Sequence, residues 1–336
     1  RRSSDLIRLK DIAEATGFSI NTVSRVMRSD KRISEETTRL IQAKAEEMGY
    51  IPNTVAASMR SNQSKMIGVV SADSGNPFFS EVVRGIEEAA VKAGYHILLA
   101  STEESLKRET DLIHMFLTRK VDGIIAMPVY DNSPAHLQLY RELRIPFIFF
   151  GRRLEGLEHH SILHDDVGGQ CKVMEHLLSN GHRKILYIAG PKKVSNTADR
   201  LHGVHLAYEQ AGLEVESDYI VEASGHIEDG YYLTNQALSR GLGFTAVACF
   251  NDMLAMGALK SLYENNLKVP QDIEVFGYDN LYMSQFMQPS LSTVDVPKFR
   301  LGYVAMETLL AHIRDPEMEY ETGNFPTRLV YRETTR

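Results

Sequence analysis

The chain has 336 residues, enough for two or three folding units with a sizeable core. Its 43% hydrophobic and 24% charged residues are ordinary for a globular protein, which excludes a disordered or fibrous chain. The net charge of -7 hides a split: residues 1–65 hold twelve Lys or Arg against eight Asp or Glu, a net +4, and the remainder carries -11.

A basic segment on an acidic body suggests a small part that meets a polyanion, although a charge block is also an ordinary solvated face. No apolar run approaches the roughly 20 residues of a membrane helix, and no signal-peptide pattern opens the sequence, so the expected location is cytoplasmic. Cys171 and Cys249 sit in apolar stretches without a CxxC partner, which supports neither a disulfide framework nor a thiolate metal site.

The first 60 residues read as helical throughout, with a DNA-binding domain expected over residues 1–52. Leu9 to Val26 has the pattern of helix, Gly17 turn and second helix, with Ala13 small enough for a close crossing and Val23 packing back. Ser19 is placed to cap the second helix, leaving Ile20, Asn21, Thr22 and Arg25 outward, with Asn21 and Arg25 four apart on one face. A third helix is expected over Ser34 to Met48, turning Leu40, Ile41, Ala45 and Met48 to the core and stopping at Gly49. Polar residues at the exposed start of the second helix, in a basic segment, point to DNA in preference to a plain three-helix bundle. Asn and Arg pair bidentately with base edges, whereas Thr22 and Ser24 suit phosphates.

Residues 53–65 read as hinge and linker. Asn53 to Arg60 is too short for a stable isolated helix, so it is either a linker or a segment that folds only against DNA and its symmetry mate.

From residue 66 to 336, short apolar runs alternate with amphipathic stretches, the signature of βα units and parallel sheets. The first series has strands at Met66 to Ala72, Tyr95 to Ser101, Gly123 to Met127 and Pro146 to Gly151. A second begins near Ser161, with strands at Lys184 to Ala189, Tyr219 to Glu222, Ala246 to Phe250 and Glu274 to Tyr278. The tail adds a strand at Ser292 to Val296, a helix from Lys298 to about Ile313 and a strand near Arg328 to Arg332. The expected lobes are about 66–160 with 292–322, and about 161–291 with 323–336. A cleft between two such lobes is where a small ligand binds.

The helix-turn-helix, Tyr50-Ile51-Pro52-Asn53, Ile67-Gly68-Val69-Val70, Asn76-Pro77-Phe78-Phe79, Val121-Asp122-Gly123-Ile124-Ile125, Gly181-His182-Arg183, Ile188-Ala189-Gly190, Asn251-Asp252 and Phe276-Gly277-Tyr278-Asp279-Asn280 resemble the LacI/GalR family of bacterial transcriptional regulators. The resemblance runs over nearly the whole chain. It implies an α/β fold with a periplasmic-binding-protein-like core behind an all-α DNA-binding domain. It also implies a homodimer on a palindromic operator, most often a repressor, controlled by a sugar or sugar derivative between the lobes.

On the DNA side the resemblance implies Ser19, Ile20, Asn21, Thr22, Ser24 and Arg25, then Asn53, Ala56, Ala57, Met59 and Arg60 in the hinge. Met59 stands where relatives carry a leucine wedge for the minor groove, and Ala57 where many carry Arg. The chain ends soon after its last strand without heptads, which favours a dimer over a tetramer. The expected effector residues are Asp73, Asn76, Phe78, Phe79, Arg152, Arg200, Asn251 and Asp279, with Arg200 and Asp279 expected to hold hydroxyls from opposite walls. Gly151-Arg152 replaces a frequent Asp-Arg pair, so an acidic contact is expected to be missing.

Gly241 to Ala246 fits GxGxxA but precedes a strand, so it does not read as a dinucleotide loop. His159, His160, His164, Asp165 and Asp166 lack metal-site spacing. No catalytic constellation, metal or cofactor is expected. The alternatives are a catabolite-control or nucleobase-corepressed relative and, in another class, a sugar-binding transport protein.

Overall fold

The computed structural model describes residues 7–28, 30, 32–51, 63–129, 131, 133–317 and 323–336. The chain divides into two compact units, Arg1–Ser64 and Lys65–Arg336. The hinge residues Asn53, Ala56, Ala57, Met59 and Arg60 lie outside the described residues.

In the first unit, helices span Leu9–Thr16, Ile20–Val26 and Glu35–Glu47. Gly17 ends the first in a left-handed conformation, φ 74°, which a side chain would strain. Ser19 Oγ accepts the Thr22 N–H at 3.1 Å and starts the second helix. Ser34 caps the third in the same way. Ile12, Ala13, Val23, Val26, Ile41 and Ala45 form the core, with Met48 packed at its edge. Leu40, expected in that core, is 50% exposed. Ile41 and Ala45 already fill the i,i+4 stripe, and Leu40 lies about 100° around the helix from Ile41.

The second unit holds two sheets. The first has six parallel strands in the order β11-β5-β4-β3-β1-β2: Asn324–Phe325, Ser161–His164, Phe147–Phe150, Gly123–Ala126, Met66–Ser71 and His96–Ser101. The second has four in the order β7-β6-β8-β9: Ile220–Glu222, Ile185–Ala189, Ala246–Cys249 and Glu274–Phe276. Strands β1, β3, β4, β6 and β8 are buried almost throughout, as continuous apolar runs require. Strand β2 is an edge strand, with His96 and Leu99 exposed and the rest half-buried, so its apolar run did not mean full burial.

The lobes divide differently from the expectation at three places. Ser161–His164, expected to open the second lobe, pairs with β4 because Ile162 joins the first sheet's core. Asn324–Phe325 pairs with β5 in that same sheet. Thr293–Asp295 (β10), expected with the first lobe, pairs antiparallel with Arg328–Val330 (β12), and bridges join Phe276 to Ser292 and Asp279 to Asp295. Helix Lys298–Arg314 does return to the first lobe, crossing Phe78–Lys92. A Cβ on Gly302 would stand 1.9 Å from the Val82 carbonyl oxygen, so glycine is required at that crossing.

Candidate functional site

The carboxyl ends of both sheets' strands open onto one cavity, the position parallel α/β sheets leave for a ligand. All eight residues expected to meet an effector line it: Asp73, Asn76, Phe78, Phe79, Arg152, Arg200, Asn251 and Asp279. The apolar wall is Phe78 and Phe79, edge to face at 5.5 Å, with Phe250.

Arg200, on helix Ser195–Gln210, is 2% exposed. Its Nε donates to Asp166 Oδ1 at 2.6 Å, its Nη1 to the Phe250 carbonyl, and its plane stacks 3.6 Å from the Tyr278 ring centroid. Asp279 Oδ1 lies 3.7 Å from Arg200 Nη2. The two are therefore neighbours on one wall, where opposite walls were expected. Burial pushes the Asp279 carboxyl up to about 7 against the pull of Arg200. Burial also raises Asp166, but His164 and Arg200 outweigh it and hold that carboxyl below its usual range.

Asp279 has φ 106°, costly for a side chain. Its N–H donates to Val294 O at 2.9 Å, and buried Lys298 donates from Nζ to its carbonyl at 2.5 Å, which fixes the turn. Asn251 is occupied structurally, since its Oδ1 accepts the Leu254 N–H at 2.8 Å and its Nδ2 donates to Gly225 O at 2.9 Å. Asn76 similarly accepts the Phe78 N–H.

The acid expected to be missing beside Arg152 comes from another loop. Glu104 accepts from Arg152 Nη1 at 3.1 Å and Nη2 at 2.7 Å. Sequence reading also missed His164, Asn196, Ser224 and His226 as lining residues. Position after a strand was the available signal for Glu104 and Ser224. His164 and Asp166 were read only against a metal site, whereas Asp166 orients Arg200, and Asp165 caps helix Asp166–Ser179 by accepting the Gly168 N–H. His164 Nδ1 and Asn196 Oδ1 are buried with no hydrogen-bond partner among the described residues. Across the rim, Arg153 forms a two-pronged pair with Asp199, and its N–H donates to Ser195 Oγ at 3.0 Å.

In the first unit, Ile20 and Asn21 are exposed at the start of the second helix. Ser19 and Thr22 hydroxyls bond each other at 2.9 Å. Arg25, expected to point outward, is held against the surface by Asp30, Nε to Oδ2 at 2.9 Å.

A helix-turn-helix unit and a two-sheet core with a polar, ring-walled cavity define a ligand-controlled DNA-binding protein. The family comparisons agree. Residues 8–53 match the bacterial regulatory proteins of the lacI family, and residues 64–330 match the periplasmic binding proteins and sugar binding domain of the LacI family. The chain belongs to the LacI family and is a DNA-binding transcriptional repressor with a small-molecule effector.

Among its relatives, the HTH-type transcriptional repressor PurR of Photobacterium profundum is 31% identical over 328 residues, 98% of each chain. The ribose operon repressor of Escherichia coli is 32% identical over 318 residues, 93% of this chain and 95% of the relative. The lac repressor dimer bound to operator and the anti-inducer ONPF superposes with a TM-score of 0.87 at 28% identity, covering 98% of this chain and 99% of that one.

Proposed function

We propose that this repressor acts in the cytoplasm as a homodimer on a palindromic operator and that its cleft takes a sugar or sugar derivative. The observation that carries the effector reading is the cavity's mixed chemistry. A sugar ring offers hydroxyls that donate and accept, plus apolar C–H faces. The Asp279 carboxylate, Asn196 Oδ1 and His164 Nδ1 stand ready beside the phenylalanine wall. The likeness to a ribose operon repressor supports the same class. Asn21 and Arg25 are the proposed base readers; Thr22, Ser24 and the basic residues nearby hold phosphates.

A thermal-unfolding screen against pentoses, hexoses, disaccharides and nucleobases tests the effector class. A sugar that binds only the folded state stabilises it by about 2.7 kcal/mol at a hundred times its dissociation constant, so the melting temperature rises. Stabilisation by a nucleobase alone would replace the sugar reading with a corepressed one.

The dimer reading rests on exposed apolar side chains. Tyr282, Met283 and Phe286 are 66%, 56% and 62% exposed on one short turn, and an edge strand exposes Leu99. A second copy covering them removes that surface from water. Replacing Tyr282 and Phe286 by Asp should give a monomer in analytical ultracentrifugation and weaken operator binding. A variant that stays dimeric places the interface elsewhere.

A further inference from the structure

The turn that follows the second helix, Ile20–Val26, carries an acid, Asp30, where an interface with a polyanion would be expected to hold only bases. Arg25, Arg28, Asp30 and Arg32 line one surface concavity together with Asn21. The Asp30 carboxylate accepts from Arg25 Nε at 2.9 Å through Oδ2. It also takes a two-pronged grip from Arg32, Nε to Oδ1 at 3.0 Å and Nη2 to Oδ2 at 2.8 Å, and accepts the Arg32 N–H at 3.1 Å. The Asp30 N–H in turn donates to the Arg25 carbonyl at 3.1 Å, which closes the loop back onto the helix. The acid's side chain is 18% exposed and Arg25's is 31%, whereas Arg32's is 79% exposed.

We infer that Asp30 is a positioning residue for sequence readout, holding the Arg25 guanidinium by its Nε edge so that both terminal nitrogens face the base pair. The geometry of a guanidinium gives this grip its consequence. Its Nη1 and Nη2 nitrogens form a fork that pairs end-on with a guanine edge, an arrangement in which Nε stays free for the acid. Binding Arg25 through Nε therefore fixes the plane of the fork and leaves its four terminal N–H groups without another partner among the described residues. A long side chain ordered before binding loses less freedom on binding, so preorganisation favours the correct contact. The acid also repels phosphates, which lowers affinity for every sequence and leaves the oriented fork to supply discrimination. Arg32 hydrogen bonds hold the Asp30 carboxyl well below the usual carboxylate range, so the tether stays ionised at neutral pH.

The inference rests on Arg25 as a base reader, and the two are separable by experiment. The probe is a duplex selected from a randomised library on the full-length protein, with its single-base variants and a scrambled duplex. Arg25→Ala should flatten preference at one base pair. Asp30→Ala should lose about tenfold discrimination at that same base pair while scrambled-duplex affinity stays equal or rises, with a steeper salt dependence. Adding Asp30→Ala to Arg25→Ala should cost no further discrimination, because the acid acts through the arginine. Asp30→Asn, which keeps an acceptor oxygen, should fall between. If Arg25→Ala leaves every base preference intact, the base-reader assignment fails. If Arg25→Ala flattens the preference but Asp30→Ala does not, or if Asp30→Ala lowers affinity for all duplexes equally together with thermal stability, Asp30 is a loop tie only and the inference is overturned.

Discussion

Arg200→Ala is expected to abolish the effector response and to destabilise the core by about 3–5 kcal/mol, the usual cost of stripping one partner from a buried charge cluster. The guanidinium stands between two carboxylates that are 5% and 6% exposed at the side chain, 2.6 Å from Asp166 and 3.7 Å from Asp279. Without it, Asp166 keeps His164 Nε2, at 3.1 Å, and Asp279 keeps the more distant pull of Lys298, whose Nζ already donates to backbone carbonyls. Two buried carboxylates then have to take up protons or draw water into the cavity. The DNA-binding unit has its own core of Ile12, Val23 and Ile41, so operator binding below the melting temperature should persist.

Arg200→Lys separates the two effects. A lysine returns the charge but not the planar fork, so it should recover much of the stability and little of the response. Urea unfolding and operator titrations with and without a stabilising ligand read both. A loss near zero in Arg200→Ala would show that the carboxylates do not depend on the guanidinium, and a normal response would remove Arg200 from the effector site.

Much of this site could be read along the chain, because parallel α/β architecture converts order into place. A residue just after a strand's carboxyl end lands at the cleft, which is how Asn251 and Asp279 could be placed, whereas Asp73 and Arg152 came from the family resemblance. What could not be read was which of them touch one another. Arg200 sits mid-helix, and its partner Asp166 opens a different helix, 34 residues earlier. Nothing in spacing predicts that pair. The Glu104 partner of Arg152 comes from another strand end, 48 residues away, for the same reason. Asn251 was legible as a position but not as a role, since its amide is already occupied in capping the helix that follows it. The lobe division failed where strands are short: Ser161–His164 and Asn324–Phe325 carry too few apolar residues to declare which sheet they join.

Effector affinity should fall as the pH drops through 7, and the sign follows from Asp279. Burial lifts its carboxyl to about 7, opposed by Arg200 and Lys298 and reinforced by Asp252 and Asp166. In the unfolded chain the same group titrates near 3.9. The folded protein therefore holds a proton that the unfolded chain has lost between about pH 4 and pH 7, so this group's contribution to stability is present at low pH and disappears as the pH rises through that window.

A sugar hydroxyl that donates to Asp279 needs the ionised carboxylate, so binding must drive that proton off. The expected loss of affinity, relative to alkaline conditions, is about tenfold at pH 6 and about a hundredfold at pH 5. Titration calorimetry in buffers of different ionisation enthalpy should show about one proton released per site below pH 7. Asp279→Asn, which accepts and donates without titrating, should bind with a flat profile. Asp252, also raised to about 6, does not compete, because it is sealed by the Leu281 N–H and the Ser284 and Thr293 hydroxyls away from the cavity. His226 lines the cavity with its side chain 57% exposed, so His226→Gln serves as the control for an imidazole. A native profile that stays flat from pH 8 to pH 5 would mean the effector does not donate to Asp279. A dependence that survives in Asp279→Asn but vanishes in His226→Gln would move the proton switch to the opposite edge of the same sheet, beyond β7.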